Sequence, residues 1–113
     1  MGKDGREFMA ARLGKFALAL GKPEDALRSV ENLRAMQPEL PWPHLIAGQA
    51  LLETGQPKEA VVALERSLAT NPFDPEVHCA LAEAYERADT AAAVTEVRRQ
   101  RAERHCRELR TTP

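Results

Sequence analysis

Among the side chains that bind metals or perform acid–base and redox chemistry, two histidines and both cysteines stand in related positions: His44, His78, Cys79 and Cys106. The two histidines lie 34 residues apart, whereas paired metal ligands on one helix are usually spaced i, i+4. Cys79 follows His78 directly, and adjacent residues of a helix point to different sides. The cysteines fall in separate predicted helices and form no disulfide framework. We therefore predict two packing histidines, two reduced thiols and no metal site.

Sequence motifs for catalysis are also missing. The chain has no Gly-x-Ser-x-Gly nucleophile motif and no phosphate-binding Walker motif. The pairs Gly14-Lys15 and Gly21-Lys22 lack the loop that such a motif needs. The acidic pair Glu24-Asp25 stands where a predicted helix begins, and carboxylates there interact favourably with the helix dipole. The sequence predicts no catalytic residue and no cofactor, and we expect the protein not to be an enzyme.

The elements that position these residues are three copies of one unit. From Gly48 the chain reads Gly48-x6-Gly55-Gln56-Pro57, followed by Ala60, Leu64 and Pro72. The same skeleton occurs 34 residues earlier at Gly14, Gly21, Lys22-Pro23, Ala26, Val30 and Pro38. A weaker copy follows at Ala82, Tyr85, Ala93 and Val97. A period of this length predicts a repeat architecture in which neighbouring units bury a shared core.

Each unit reads as two helices joined by a short turn. Glycine is suited to ending a helix in a left-handed conformation, and proline to the first position of the next helix. We predict helices from a capping box at Asp4–Glu7 to about Leu20, and then over 23–36, 42–54, 57–70, about 75–87 and about 90–110. The third turn, Ala88-Asp89-Thr90, lacks glycine and proline and is one residue shorter. The last helix is highly charged, with a narrow apolar seam at Ala93, Val94, Val97, Ala102, Cys106 and Leu109.

This pattern resembles the tetratricopeptide repeat family, whose signature is a large residue, then Leu-Gly, Tyr, Ala, Phe and Pro. The resemblance implies an all-α fold of three antiparallel helix hairpins in a right-handed superhelix, with a long capping last helix. It implies one domain over residues 1–113, with repeats at about 7–40, 41–74 and 75–110. His44 and His78 then occupy the place of the family's large packing residue. The positions that carry the resemblance are Leu13-Gly14, Ala17, Ala26, Val30 and Pro38, Ala47-Gly48, Leu51, Ala60, Leu64 and Pro72, and Leu81-Ala82, Tyr85, Ala93 and Val97.

In that family the first helix of each hairpin lines a concave groove that binds another protein. The resemblance implies that the partner, a peptide or a helix segment, contacts side chains spaced along these three helices. Phe8 and Trp42 occupy matching positions and are the expected aromatic anchors, since aromatics carry much interface energy. The predicted groove residues are Phe8, Arg12, Lys15, Leu18, Trp42, Leu45, Gln49, Leu52, Glu76 and Glu83.

Other interpretations of the same repeat remain open. Some family members bind the acidic tails of chaperones through a clamp of Lys, Asn and Arg residues. The matching positions here are Ala11, Lys15, Ile46, Glu76 and Ala80, of which only Lys15 is basic, so we do not expect that activity. The alternatives are a self-associating scaffold subunit, as a homo-oligomer or within a larger assembly, and a small secretion-type chaperone.

Composition limits the possible partners. The net charge is −1, and 43% of the residues are hydrophobic, as in a soluble globular protein. Residues 90–113 carry six Arg and three Glu, but these charges are interleaved on several faces, so we predict no nucleic-acid binding. No apolar run is long enough to span a bilayer, and the N-terminus lacks a signal-peptide core. We therefore predict no membrane partner and a cytoplasmic location.

Overall fold

The computed structural model of the protein describes residues 2–88 and 93–111, with the side chains of residues 9–88 and 96–110. All secondary structure in this part of the chain is helical, which confirms the predicted all-α class. The six helices are α1 (Gly2–Ala19), α2 (Pro23–Met36), α3 (Pro41–Glu53), α4 (Pro57–Thr70), α5 (Pro75–Arg87) and α6 (Ala93–Thr111).

The helices form three hairpins, α1–α2, α3–α4 and α5–α6. Successive hairpins stack because α2 packs on α3 and α4 packs on α5, while α3 also contacts both α1 and α5. Four helices begin at a proline, Pro23, Pro41, Pro57 and Pro75, whose missing N–H is not needed in the first turn. The predicted bounds of α2 and α4 are confirmed to the residue.

The first two hairpin turns are the same structure repeated. Gly21 and Gly55 have φ angles of 71° and 76°, in the left-handed region that suits glycine. After Gly21, the amide of Lys22 donates to the Ala17 carbonyl at 2.8 Å, and after Gly55 the amide of Gln56 donates to Leu51 at 2.8 Å. These bonds satisfy carbonyls at the helix ends and direct the chain back along itself.

The first and third units differ from the prediction at their ends. The helix α1 begins at Gly2, so Asp4 lies within it and the predicted capping box is wrong. The cap predicted for α5 is confirmed, since Asp74 accepts a hydrogen bond from the Glu76 amide at 3.0 Å. At the third turn Ala88 keeps a right-handed helical conformation, and Asp89 and Thr90 lie outside the described residues.

The centre of the core is α3, which buries nine of its 13 residues. Its closest approach is to α4, where Gly48 faces the fully buried Leu64. Ala26 and Ala60, the small residues predicted on the second helices, are both fully buried. Small residues at these crossings let the helix backbones pack closely, as the repeat spacing predicts.

His44 and His78 are buried packing residues that also hold the chain between hairpins. His44 Nε2 lies 2.8 Å from the Pro38 carbonyl, and His78 Nε2 lies 2.7 Å from the Pro72 carbonyl. Both carbonyls belong to the loop that precedes the histidine's own helix. Each imidazole therefore closes the connection between one hairpin and the next with the same hydrogen bond.

The prediction of two reduced thiols is wrong, because Cys79 and Cys106 form a disulfide. The bond joins α5 to α6, with the two Cα atoms 4.8 Å apart. The apolar seam predicted for α6 is buried or half-buried at three of its four described positions. Ala102 is buried, but Val97, predicted in the apolar seam, is 54% exposed. Of the rest of that seam, Cys106 and Leu109 are half-buried, and the side chains of Ala93 and Val94 are not described.

Candidate functional site

A groove of about 940 Å³ lies across the first helices of the three hairpins, α1, α3 and α5. Leu18, Leu52 and Ala80 supply apolar surface, which we call the floor, whereas six of the eleven lining residues are polar or charged. The last turn of α6 also reaches the groove through Arg110. The lining consists of Leu18, Ala19, Gln49, Leu52, Glu53, Glu76, Cys79, Ala80, Glu83, Arg87 and Arg110.

Five of the ten predicted groove residues line this groove together: Leu18, Gln49, Leu52, Glu76 and Glu83. Leu45 and Leu52 are 7% and 4% exposed, so both belong mainly to the core. Trp42 is half-buried and packs against that core. Arg12 and Lys15 are exposed on α1 outside the groove lining. Phe8 lies within α1, and its side chain is outside the described set.

The charge in the groove is concentrated toward α5. Glu83 pairs with Arg87 at 3.1 Å, and Arg87 also donates to the Leu52 carbonyl on α3 at 3.0 Å. This contact fastens the end of α5 to α3 across the groove. Glu53 and Glu76 have no ion pair within the described residues. The rim therefore presents two carboxylates that a cationic partner group could contact.

Three charged residues of the groove were not among those predicted. Arg87 continues the spacing of Glu76, Ala80 and Glu83 along one face of α5, so helical periodicity could have found it. Glu53 ends α3 one residue after Leu52. Arg110 had no local signal, because it reaches the groove only through the placement of α6.

A second cavity of about 650 Å³ lies on the other side of α5, between α4 and α6. Leu68, Leu81 and Leu109 supply apolar surface. Four charged residues, Glu65, Arg98, Arg101 and Glu108, stand around it together with Tyr85. The rings of His78 and His105 meet edge to face in its wall, with centroids 4.9 Å apart. This cavity was not predicted from the sequence, because the cavity forms between helices of different hairpins.

Polar chemistry in the second cavity centres on Tyr85 and Glu65. The Tyr85 hydroxyl donates a 2.6 Å hydrogen bond to Glu65, and Arg98 lies 3.8 Å from the same carboxylate. Burial, reinforced by the bond to Glu65, raises the pKa of Tyr85 well above its ordinary value of 10. The phenol is therefore a hydrogen-bond donor at neutral pH and not a base, and the triad joins α4, α5 and α6.

The described residues bring no metal-binding cluster together. No group of three His, Cys, Asp or Glu side chains in this part of the chain is arranged to hold a metal ion. The buried histidine nitrogens Nε2 of His44 and His78 are already bonded to carbonyls. What the two cavities offer is apolar surface bordered by charge, which suits the binding of another chain.

The family model for the tetratricopeptide repeat matches residues 17–84 of this chain, more than half of its length. The chain belongs to the tetratricopeptide repeat family. The match runs from the end of α1 through α5, so it includes the groove's floor and leaves α6 outside. No curated protein matches the chain. Among the described helices, none combines the length and the apolar character needed to cross a membrane.

Proposed function

We propose that this tetratricopeptide repeat protein binds a segment of a partner protein in the groove of α1, α3 and α5, without catalysing a reaction. The family in general mediates protein–protein interaction. The observation that supports this particular site is the convergence of Leu18, Gln49 and Leu52 with acidic residues of α5 in one groove. Apolar contacts combined with several polar and charged groups are typical of protein–protein interfaces, which are about as polar as the rest of a protein surface.

The charges suggest how the partner segment is oriented. Glu53, at the end of α3, and Glu76, on α5, favour lysine or arginine in the partner. Lys15 projects from α1 outside the groove lining, and we propose that it contacts acidic residues at the other end of the segment. Complementary charges of this kind set the register and the association rate more than the affinity. The proposed partner is therefore a segment with aliphatic residues, basic toward the third hairpin and acidic toward the first.

A peptide-display selection against the native, disulfide-bonded protein tests the proposal. We expect the selected peptides to pair aliphatic residues with a basic end. Glu76→Lys should weaken their binding by about tenfold or more, because it reverses a charge in the groove. The matched control is Glu59→Lys, an exposed glutamate on α4 away from the groove. Peptides that bind both variants equally would contradict the proposed site.

Phe8 and Trp42 remain the proposed aromatic anchors. The change Phe8→Ala with Trp42→Ala should abolish capture of the selected peptides. Because Trp42 packs against the core, the unfolding free energy of the variant is measured alongside. Loss of binding in a fully folded variant supports the anchors, whereas an unfolded variant assigns those rings to the core. Selection of amphipathic helices over extended peptides would favour the chaperone alternative.

The cytoplasmic location is a prediction that the disulfide challenges. Stable disulfides are usual in oxidising compartments and rare in the cytosol. We propose to test location and redox state together by acid-quenched thiol labelling of the native protein in its own cells. Free thiols at Cys79 and Cys106 would support the cytoplasmic location, and a fully oxidised pair would contradict it.

A further inference from the structure

A stripe of large apolar side chains is exposed along α1. Met9, Leu13, Phe16 and Leu20 are 56%, 54%, 64% and 56% exposed. They recur at intervals of four, three and four residues, so they lie on one side of the helix. A contiguous exposed patch of this kind in a soluble domain marks an interaction surface.

The repeat shows what this side of the helix normally does. The residues of α3 that match Leu13 and Phe16 are Ala47 and Ala50, and those of α5 are Leu81 and Ala84. All four are buried, at no more than 2% exposure. The neighbour that α3 and α5 have and α1 lacks is the second helix of a preceding hairpin. The side of α1 that is exposed is therefore the side that another helix covers in the other units.

The residue types argue against a further helix of the repeat type on α1. Phe16 stands where both of the other units have a fully buried alanine, Ala50 and Ala84. A ring at this position keeps a neighbouring helix from approaching as closely as α2 approaches α3. The side chains of Met9, Leu13, Phe16 and Leu20 are instead large enough to interdigitate with a matching set on a second helix, as in a heptad seam.

The two ends of the array have opposite character. The exposed residues of α6 at the far end include Arg98, Arg101, Arg104 and Arg107. Head-to-tail association would place this charged surface against the apolar stripe and desolvate its arginines without giving them new partners. Contact of the stripe with a second stripe instead buries apolar surface on both sides, and an interface between identical surfaces closes as a dimer.

From this arrangement we propose that two copies of the chain form a symmetric homodimer by packing their α1 stripes together. The groove residue Leu18 lies on another side of α1, so the dimer leaves the groove open. The inference is thus independent of the proposed partner binding, and either can fail without the other.

Sedimentation velocity and light scattering of the full, disulfide-bonded chain across concentration test the dimer. We expect the mass to rise with concentration to twice the 12.5 kDa of one chain. Leu13→Glu with Phe16→Glu should give a monomer at every concentration. The milder Phe16→Ala should raise the dissociation constant by about tenfold or more, because it removes the largest side chain of the seam.

The matched control is Val62→Glu with Phe73→Glu, which places two charges on similarly exposed apolar residues away from α1. This control should dimerise like the unmodified chain, and circular dichroism should show the same helix content in all variants. An unmodified chain that stays monomeric at every concentration would overturn the proposal. It would indicate that the stripe contacts a helix other than a second α1. A dimer that persists with both glutamates in α1, or through Phe16→Ala at unchanged affinity, would also overturn it.

Discussion

His44 illustrates how one buried side chain acquires both a structural role and a pH dependence. Its Nε2 donates to the Pro38 carbonyl at 2.8 Å, and its Nδ1 lies 3.3 Å from Nε of Arg34, which donates to it. Because Nδ1 accepts a hydrogen bond while Nε2 donates one, the ring in this arrangement is the neutral imidazole. Burial lowers the pKa of His44 below 6.5, and the charges of Arg34 and Arg66 lower it further against the raising effect of the Pro38 bond.

The folded protein should therefore lose stability as the pH falls below about 6.5. There the unfolded chain binds a proton that folded His44 resists, so the unfolding free energy decreases until the pH drops below the folded pKa. The slope contributed by His44 is at most about 1.4 kcal/mol per pH unit, the value of one proton. Urea unfolding between pH 5.5 and 7.5 measures it. His44→Gln should flatten the slope, and an unchanged slope in that variant would contradict the assignment.

Gly48 is a position where even one methyl group is too large. A Cβ built on Gly48 would lie 2.5 Å from Cγ and 2.6 Å from Cδ2 of Leu64, which is fully buried. We expect Gly48→Ala to destabilise the protein by about 1–3 kcal/mol, although alanine favours helices, because α3 and α4 must separate. Gly14→Ala is the comparison and should lower the unfolding free energy less, because its Cβ would meet Ile46 and Ser29 at the longer distance of 3.1 Å. Equal unfolding midpoints for the two variants would refute this difference.

At the scale of the elements, α6 depends on its bond to α5. It lies outside the repeat match, and its described side chains include few buried apolar ones, chiefly Ala102. Its own ion pairs are local, since Arg99 bonds Glu96 and Glu103 within the helix. The bond to Arg99 lowers the pKa of Glu96. The Cys79–Cys106 disulfide and the contact of Arg98 with Glu65 attach α6 to the hairpins.

Reduction of the disulfide should therefore destabilise the protein and loosen α6. For cysteines 27 residues apart, loop closure predicts a loss of about 3 kcal/mol. Guanidinium unfolding with and without dithiothreitol measures the loss. The variant Cys79→Ser with Cys106→Ser should match the reduced protein and be insensitive to reductant. A reduced protein as stable as the oxidised one would show that packing alone holds α6.

At the scale of the whole molecule, stability should decrease from the middle hairpin toward both ends. The centre is α3, with nine buried residues of 13, while α1 exposes an apolar stripe and α6 a charged surface. Repeat arrays are stabilised by contacts between neighbours, so terminal helices open first. We expect native-state hydrogen exchange to protect α3 and α4 most, and α1 and α6 least. Equal protection in all six helices would indicate a single cooperative unit. Slow exchange in α1 that appears only at high concentration would support the α1 dimer.

The sequence by itself determined the repeat and most of the helices. The turns at Gly21 and Gly55 followed from glycine and proline at fixed offsets, because these residues restrict or free their own backbone angles. The buried small residues Ala26, Gly48 and Ala60 followed from the period of the repeat. The predicted start of α1 was wrong. A capping sequence does not stop a helix from extending past it when the surrounding residues are good helix formers.

Only the tertiary structure decided which residues of different elements meet. The Cys79–Cys106 bond, the exposure of Val97 and the position of Arg110 in the groove all depend on how α6 is rotated against α5. The turn between these helices departs from the repeat, so the period no longer fixes that rotation. The α1 stripe likewise became visible only as an exposed surface, because its spacing is also that of a buried helix face. Local chemistry sets each helix, but the relative placement of two helices is a property of the whole packed chain.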